Sequence, residues 1–211
     1  ILSLPPVNTA GDKRVWQEVN GGSALVIAEA SQQVPGLTVV IADSAKTAAE
    51  LESELRFFLG EGAAVLHFPD WETLPYDIFS PHQDIVSERL RTLSRLPQTR
   101  TGVVIVPVGT LMHRLPPAEF VNQRAFDYRR GDKLNLDTLR TQLESAGYRC
   151  VDTVVEHGEY AVRGALIDIF PMGATLPFRI DLFDDEIETL RTFDPDTQRT
   201  LEQTDHIHLL P

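Results

Sequence analysis

Apolar and polar positions follow two different rhythms along this chain. In the first part, short runs rich in β-branched residues alternate with stretches of helical spacing. "LTVVIADS" (37–44) and "AAVLHFP" (63–69) read as buried strands. "SAKTAAELESELRFFLG" (44–60) places Ala48, Leu51, Leu55, Phe58 and Leu59 at helical intervals, with Asp43 or Ser44 as N-cap and Gly60 as terminator. "HQDIVSERLRTLSRL" (82–96) predicts a second helix through Ile85, Leu90, Leu93 and Leu96, and "TGVVIVPVGTLMHRL" (101–115) predicts strand, turn and helix. Strands separated by helices imply a parallel sheet with right-handed crossovers, the layout of nucleotide-binding α/β domains.

After a boundary near Ala125 the period changes. One helix, "LDTLRTQLESAG" (136–147), is followed by the strand-like runs "CVDTVVEHG", "YAVRGALIDIFP", "LPFRIDLFD", "EIETLRTF" and "HIHLLP". Strands in succession with brief connections predict an antiparallel sheet covered on one face by the helix. The expected fold is therefore an α/β parallel-sheet domain over residues 1–125, followed by a small antiparallel α+β domain over 126–211.

Composition limits what these domains can do. The 211 residues are 42% hydrophobic with no run long enough to span a bilayer, and no basic-then-apolar leader is present. The lone Cys150 excludes an internal disulfide framework, fits a reducing cytoplasm and is expected as a small core residue. Formal net charge is −12, and residues 126–211 carry nine Lys/Arg against seventeen Asp/Glu. That balance disfavours DNA phosphates as a target and favours a protein partner with a basic patch.

Evidence for an enzyme is nearly absent. In "VNGGSALVIAEA" two glycines, Gly21 and Gly22, precede a helix-like run, but Ser23, Ala24 and Leu25 stand where a phosphate loop needs a lysine followed by Ser/Thr. The reading is a glycine turn opening a helix, with no ATP hydrolysis. "DDEIE" (184–188) reads as a solvated hairpin turn, because consecutive strand residues point to opposite faces. His206 and His208 share a strand face yet lack further ligands for zinc. Trp71, Tyr76 and Phe79 lie in a proline-broken loop, expected to pack over a sheet edge.

Three long segments, "PDWETLPYDIFSPHQDI", "VEHGEYAVRGALIDIFP" and "DLFDDEIETLRTFD", closely resemble the N-terminal region of bacterial transcription-repair coupling factors. That region is similar in turn to the B subunit of the nucleotide excision repair nuclease. The resemblance covers nearly the whole chain and implies a fragment of a longer DNA-damage repair protein. In such a protein an ATP- and magnesium-dependent translocase part, helicase-like, hydrolytic and DNA-binding, displaces stalled RNA polymerase. The first domain then corresponds to a degenerate B-subunit domain without cofactor, completed by residues beyond 211. The second docks the nuclease A subunit, a surface the resting factor masks with its own C-terminal domain. RNA polymerase and duplex DNA would be met by parts outside this fragment. The competing reading is an ATP- or DNA-binding helicase-like domain active in its own right.

The resemblance assigns partner binding to Arg163, Arg179 and Phe183, with no catalytic, cofactor or metal residue. Strand parity independently turns Phe178, Ile180 and Leu182 inward and sets Arg179 and Phe183 on one outer face, about 13 Å apart. Arg163 is harder to place, because in a continuous strand it would share a face with Ile167 and Ile169. A β-bulge at Gly164 is the expected device for turning it outward.

Overall fold

A computed structural model describes Lys13, Val15 and residues 22–33, 35–73 and 78–211. The chain divides into two compact units. The first comprises residues up to Asp70 together with Arg95–Arg114, and the second comprises Trp71–Ser94 and Leu115–Pro211. This division is not a single cut near Ala125, because the segment after Asp70 packs with the antiparallel part of the chain.

The first unit is built on three parallel strands, β1 (Leu37–Ala42), β2 (Val65–His67) and β3 (Gly102–Pro107), in the order β1-β3-β2. Helices α1 (Ser23–Gln33) and α2 (Ala45–Leu59) cover one face. Small residues permit close helix-on-sheet packing there: Ala24, Ala28, Ala42 and Ala48 are buried with Leu55, Val65, Val103 and Ile105. Ser44 caps α2 by accepting from the Thr47 amide at 3.1 Å, and the Gly60 amide donates to the Arg56 carbonyl at 3.1 Å. Gly102 is required where β3 passes the end of the preceding loop. A Cβ there would lie 2.3 Å from the Ala64 carbonyl oxygen, to which Val103 donates at 2.8 Å.

After β3 the expected helix shrinks to a single 3₁₀ turn, Thr110–Met112. Pro116 and Pro117 follow, and a proline at either position removes an amide that a longer helix would use. The next helix, α4 (Ala118–Gln123), starts only beyond them. The residues before it expose Leu111, Met112 and Leu115.

The second unit centres on a six-stranded sheet of order β10-β9-β8-β7-β6-β5. Its strands are β5 (Arg149–Cys150), β6 (Glu159–Arg163), β7 (Leu166–Phe170), β8 (Phe178–Phe183), β9 (Glu186–Phe193) and β10 (Thr200–Thr204). All pairs are antiparallel except β5 with β6. A separate two-stranded ribbon joins β4 (Phe126–Arg129) to β11 (His206–Leu209). Helix α5 (Leu136–Ser145) is capped by Asn135, which accepts from the Thr138 amide at 2.9 Å. Its Leu139 and Leu143 join Tyr160, Ile167, Ile169, Ile180, Ile187 and Leu190 in one core. Inside that core the Tyr148 hydroxyl donates to the Leu210 carbonyl at 2.5 Å and accepts from the Met172 amide at 3.0 Å.

Helix α3 (Gln83–Arg95) inverts the expectation from its leucines: its most buried side chains are Ser87, Arg89 and Thr92. The reason is specific polar contact within the second unit. Ser87 Oγ accepts from the Gly173 amide at 2.8 Å, and the Arg89 guanidinium lies 3.9 Å over the Trp71 ring. His157 bonds to Asp84 and to the Ala174 carbonyl, each at 2.8 Å, while its ring sits on Phe170. Trp71 of the aromatic loop packs against Arg89 of α3, whereas Phe79 is exposed and Tyr76 lies outside the described residues. Cys150 is exposed on short strand β5, not a core residue.

Candidate docking face

The Arg-Gly pair resolves into a hairpin. Residues 159–170 form two strands, and regular antiparallel pairing continues to Arg163↔Leu166, so only Gly164 and Ala165 remain as the turn. Gly164 has φ +64 and Ala165 does not share a positive φ, the pattern of a type II′ turn with glycine at its first central position. The bulge expected at Gly164 is therefore absent. The two-residue turn does what the bulge was invoked to do: paired residues share a face, so Arg163 sides with Leu166 and Asp168, opposite Ile167 and Ile169. A register shift does occur in this sheet, between β8 and β9, where Glu188 is the extra residue between Ile187 and Thr189.

Register carries this face across the sheet. Asp168 pairs with Arg179, Leu166 with Asp181, and Arg179 and Asp181 pair in turn with Arg191 and Thr189. Phe178, Ile180 and Leu182 turn inward, as parity requires. One half of the outer face is covered: Val154, Ala161, Phe170 and Phe193 form a small second core under the segment around Val151. The other half is open and carries Arg163, Asp181, Phe183 and Arg191.

The three residues assigned by resemblance occupy this face in different states. Phe183, at the end of β8 before the Asp184-Asp185 turn, is 70% exposed, unusual for a large apolar side chain. Arg163 is half exposed; its Nη2 donates to the Asp152 carbonyl at 3.0 Å and lies 3.5 Å from Asp168 Oδ2. Arg179 is largely buried, with 15% of its side chain accessible. Its Nε and Nη2 clamp the Asp168 carboxylate at 2.7 and 2.9 Å, Nη1 donates to the Gln198 carbonyl at 3.3 Å, and the guanidinium lies 4.7 Å over the Phe193 ring. The paired Asp168 carboxylate pushes the Arg179 guanidinium above its ordinary value.

Sequence reading missed the carboxylates that organise these cations. Asp168 is 1% exposed between Ile167 and Ile169, and every strong contact it makes is to arginine. Asp181 accepts from Thr189 Oγ1 at 2.5 Å and pairs closely with Arg191, which stands directly opposite Arg179. Two like charges in adjacent strands are tolerated because each has its own carboxylate. The available signal was "LIDIF": an aspartate alternating with isoleucines in a strand asks for a cation on the neighbouring strand.

Arg163, Asp181 and Arg191 together border a shallow cleft of about 640 Å³ over the open half of the sheet. The cleft presents paired charge beside the apolar Leu166 and Leu182.

Residues 126–211 match a protein family described as the UvrB interaction domain. Over 96% of its length the chain is 52% identical to a transcription-repair-coupling factor of Escherichia coli (strain K12). Nearly the whole of this sequence is similar to one part of the transcription-repair coupling factors. Similarity is 50% over 98% of the chain for the Haemophilus influenzae transcription-repair-coupling factor, and 31% over 87% for that of Staphylococcus aureus (strain USA300). The chain spans 18% of the length of the first two of these coupling factors and 16% of the third.

Gly22 precedes α1 and its carbonyl accepts from Val26 at 3.1 Å, as in an ordinary helix start; Gly21 lies outside the described residues. Among the described residues, no helix is long and apolar enough to cross a membrane.

Proposed function

We propose that the chain is the non-catalytic recruitment module of a transcription-repair coupling factor, and that the open half of its six-stranded sheet docks the A subunit of the nucleotide excision repair nuclease. The observation that carries this reading is the exposure of Phe183 on the same sheet face as Arg163, in a domain whose family is described by interaction rather than by catalysis. An exposed aromatic beside arginine is the composition of an interface anchor. Arg179 belongs to the same face in a supporting role, since its fork is committed to Asp168.

In the whole factor, the translocation of duplex DNA, ATP hydrolysis with magnesium and displacement of RNA polymerase are assigned to parts outside this chain, and the resting factor's C-terminal domain is assigned the task of covering the docking face. The competing reading, an independently active ATP- or DNA-binding domain, has no lysine at the start of α1 to support it, and a net charge of −12 opposes duplex contact.

Titration against the purified A subunit tests the proposal. Phe183→Ala and Arg163→Ala are each expected to weaken binding by about 1–3 kcal/mol, roughly 5- to 150-fold, with the melting temperature unchanged. Full affinity in both variants would rule this face out.

A further inference from the structure

The β4–β11 ribbon has an inner and an outer side. Ile207 and Leu209 are each 1% exposed and pack into the main core with Phe126 and Tyr128. Strict alternation then sends Asp127, Arg129, His206 and His208 to the outer side, with His208 directly opposite Asp127 and His206 opposite Arg129. The two imidazoles converge on one atom. His206 Nε2 lies 2.8 Å and His208 Nδ1 2.9 Å from the same oxygen, Asp127 Oδ1. The sequence offered two histidines without a third ligand; strand pairing supplies it from 79 and 81 residues away.

We propose that Asp127, His206 and His208 form a binding site for a divalent transition-metal cation, with Zn²⁺ the best fit. Two imidazole nitrogens and one carboxylate oxygen are a donor set that suits zinc, which binds such atoms at about 2.0–2.2 Å. Ligands bound that closely in a tetrahedron stand about 3.3 Å apart, so the nitrogen-to-oxygen separations need to open only by a few tenths of an ångström. The larger change is between the two imidazole nitrogens, which stand more than 4.8 Å apart on either side of the carboxylate oxygen and close to about 3.3 Å by rotation of the exposed rings. The side chains are 41–59% accessible, which leaves room for that rotation and for water in the fourth position. The backbone supporting them does not have to move, because all three ligands stand on strands anchored from beneath by Ile207 and Leu209. Arg129, on the same face, is the one opposing charge and sets an upper limit on affinity.

A hydrogen-bonded surface cluster alone would produce the same contacts, so the test measures metal binding directly. Metal-free protein titrated with Zn²⁺ by calorimetry is expected to bind one equivalent at this site, with zinc-dependent amide shifts confined to 126–129 and 205–209. His206→Ala and His208→Ala should each weaken binding at least tenfold, and Asp127→Asn about tenfold. These positions are at the surface, so an unchanged melting temperature verifies the fold of each variant. Zn²⁺ should also slow amide exchange in β4 and β11 in the parent protein but not in His206→Ala. The proposal is overturned if the parent shows no binding at micromolar zinc, or if the His206→Ala/His208→Ala double variant binds as tightly as the parent.

Discussion

The two larger sheets of this chain handle charge in opposite ways. The parallel sheet of the first unit meets α1 and α2 through alanines, valines and leucines, and its ionic contacts sit at the margin, where Glu52 of α2 bonds to His67 at 3.1 Å and to Arg56 at 2.6 Å. The six-stranded sheet of the second unit buries a carboxylate in its middle, clamped by Arg179. A buried ion pair contributes little net stability against an apolar alternative. What it provides here is a rigid polar surface: the cations of the outer face are fixed before any partner arrives, which lowers the ordering cost of binding. A peripheral pair has no such consequence.

The comparison breaks most visibly at Arg179. Arg179→Ala leaves buried Asp168 without its clamp, with Arg163 alone at 3.5 Å, and is expected to destabilise the second unit by about 3 kcal/mol, read by chemical denaturation. The double variant Arg179→Leu/Asp168→Leu should recover much of that loss; if Arg179→Ala is instead stability-neutral, the clamp is not structural. Loss of A-subunit binding in Arg179→Ala is consequently no evidence of contact, unlike the loss expected for Phe183→Ala.

A smaller effect is expected at the hairpin. Gly164→Ala places a side chain at φ +64 with open space around it, so the cost is backbone strain alone, about 1 kcal/mol in thermal unfolding. Gly164→Asn should cost less, because asparagine tolerates that region.

The margin of the first unit gives the mildest test. Its bond to His67, with Arg56 beside it, holds the Glu52 carboxyl down to about 2 from an ordinary value near 4.5. A carboxyl with a depressed folded value contributes stability that is complete above about 4.5 and is lost as pH falls toward about 2. Glu52 keeps 20% of its side chain accessible and shares its carboxylate with the exposed Arg56, so solvent screening reduces the effect to about 1 kcal/mol. Glu52→Gln should flatten the stability profile in that window and lower it by a constant amount above pH 5.

Much of this was legible in the sequence, for identifiable reasons. Period-two alternation in "LPFRIDLF" placed Ile180 and Leu182 in the core and Phe183 outside, because one face of the strand is buried and parity admits no other answer. Ser44 and Gly60 bracket α2 because capping chemistry is local. "YAVRGALIDIFP" misled because a type II′ turn needs only Gly164 and one neighbour, too brief to interrupt an apolar pattern. The polar side of α3 misled for a different reason: Ser87 and Arg89 are buried by partners at Gly173 and Trp71, which no local period encodes. Asp168 and Asp127 went unnoticed because each acquires its meaning from a residue on another strand.

Pairing of Phe126 with Leu209 has a topological consequence. The first and last strands of the interaction domain run side by side in opposite directions, so its two ends lie roughly one inter-strand spacing, about 5 Å, apart. A domain with adjacent ends can be spliced into a surface loop of a host with almost no demand on the host's backbone. Such a module is portable: it can be gained, lost or transplanted as a unit while the surrounding sheet keeps its own register.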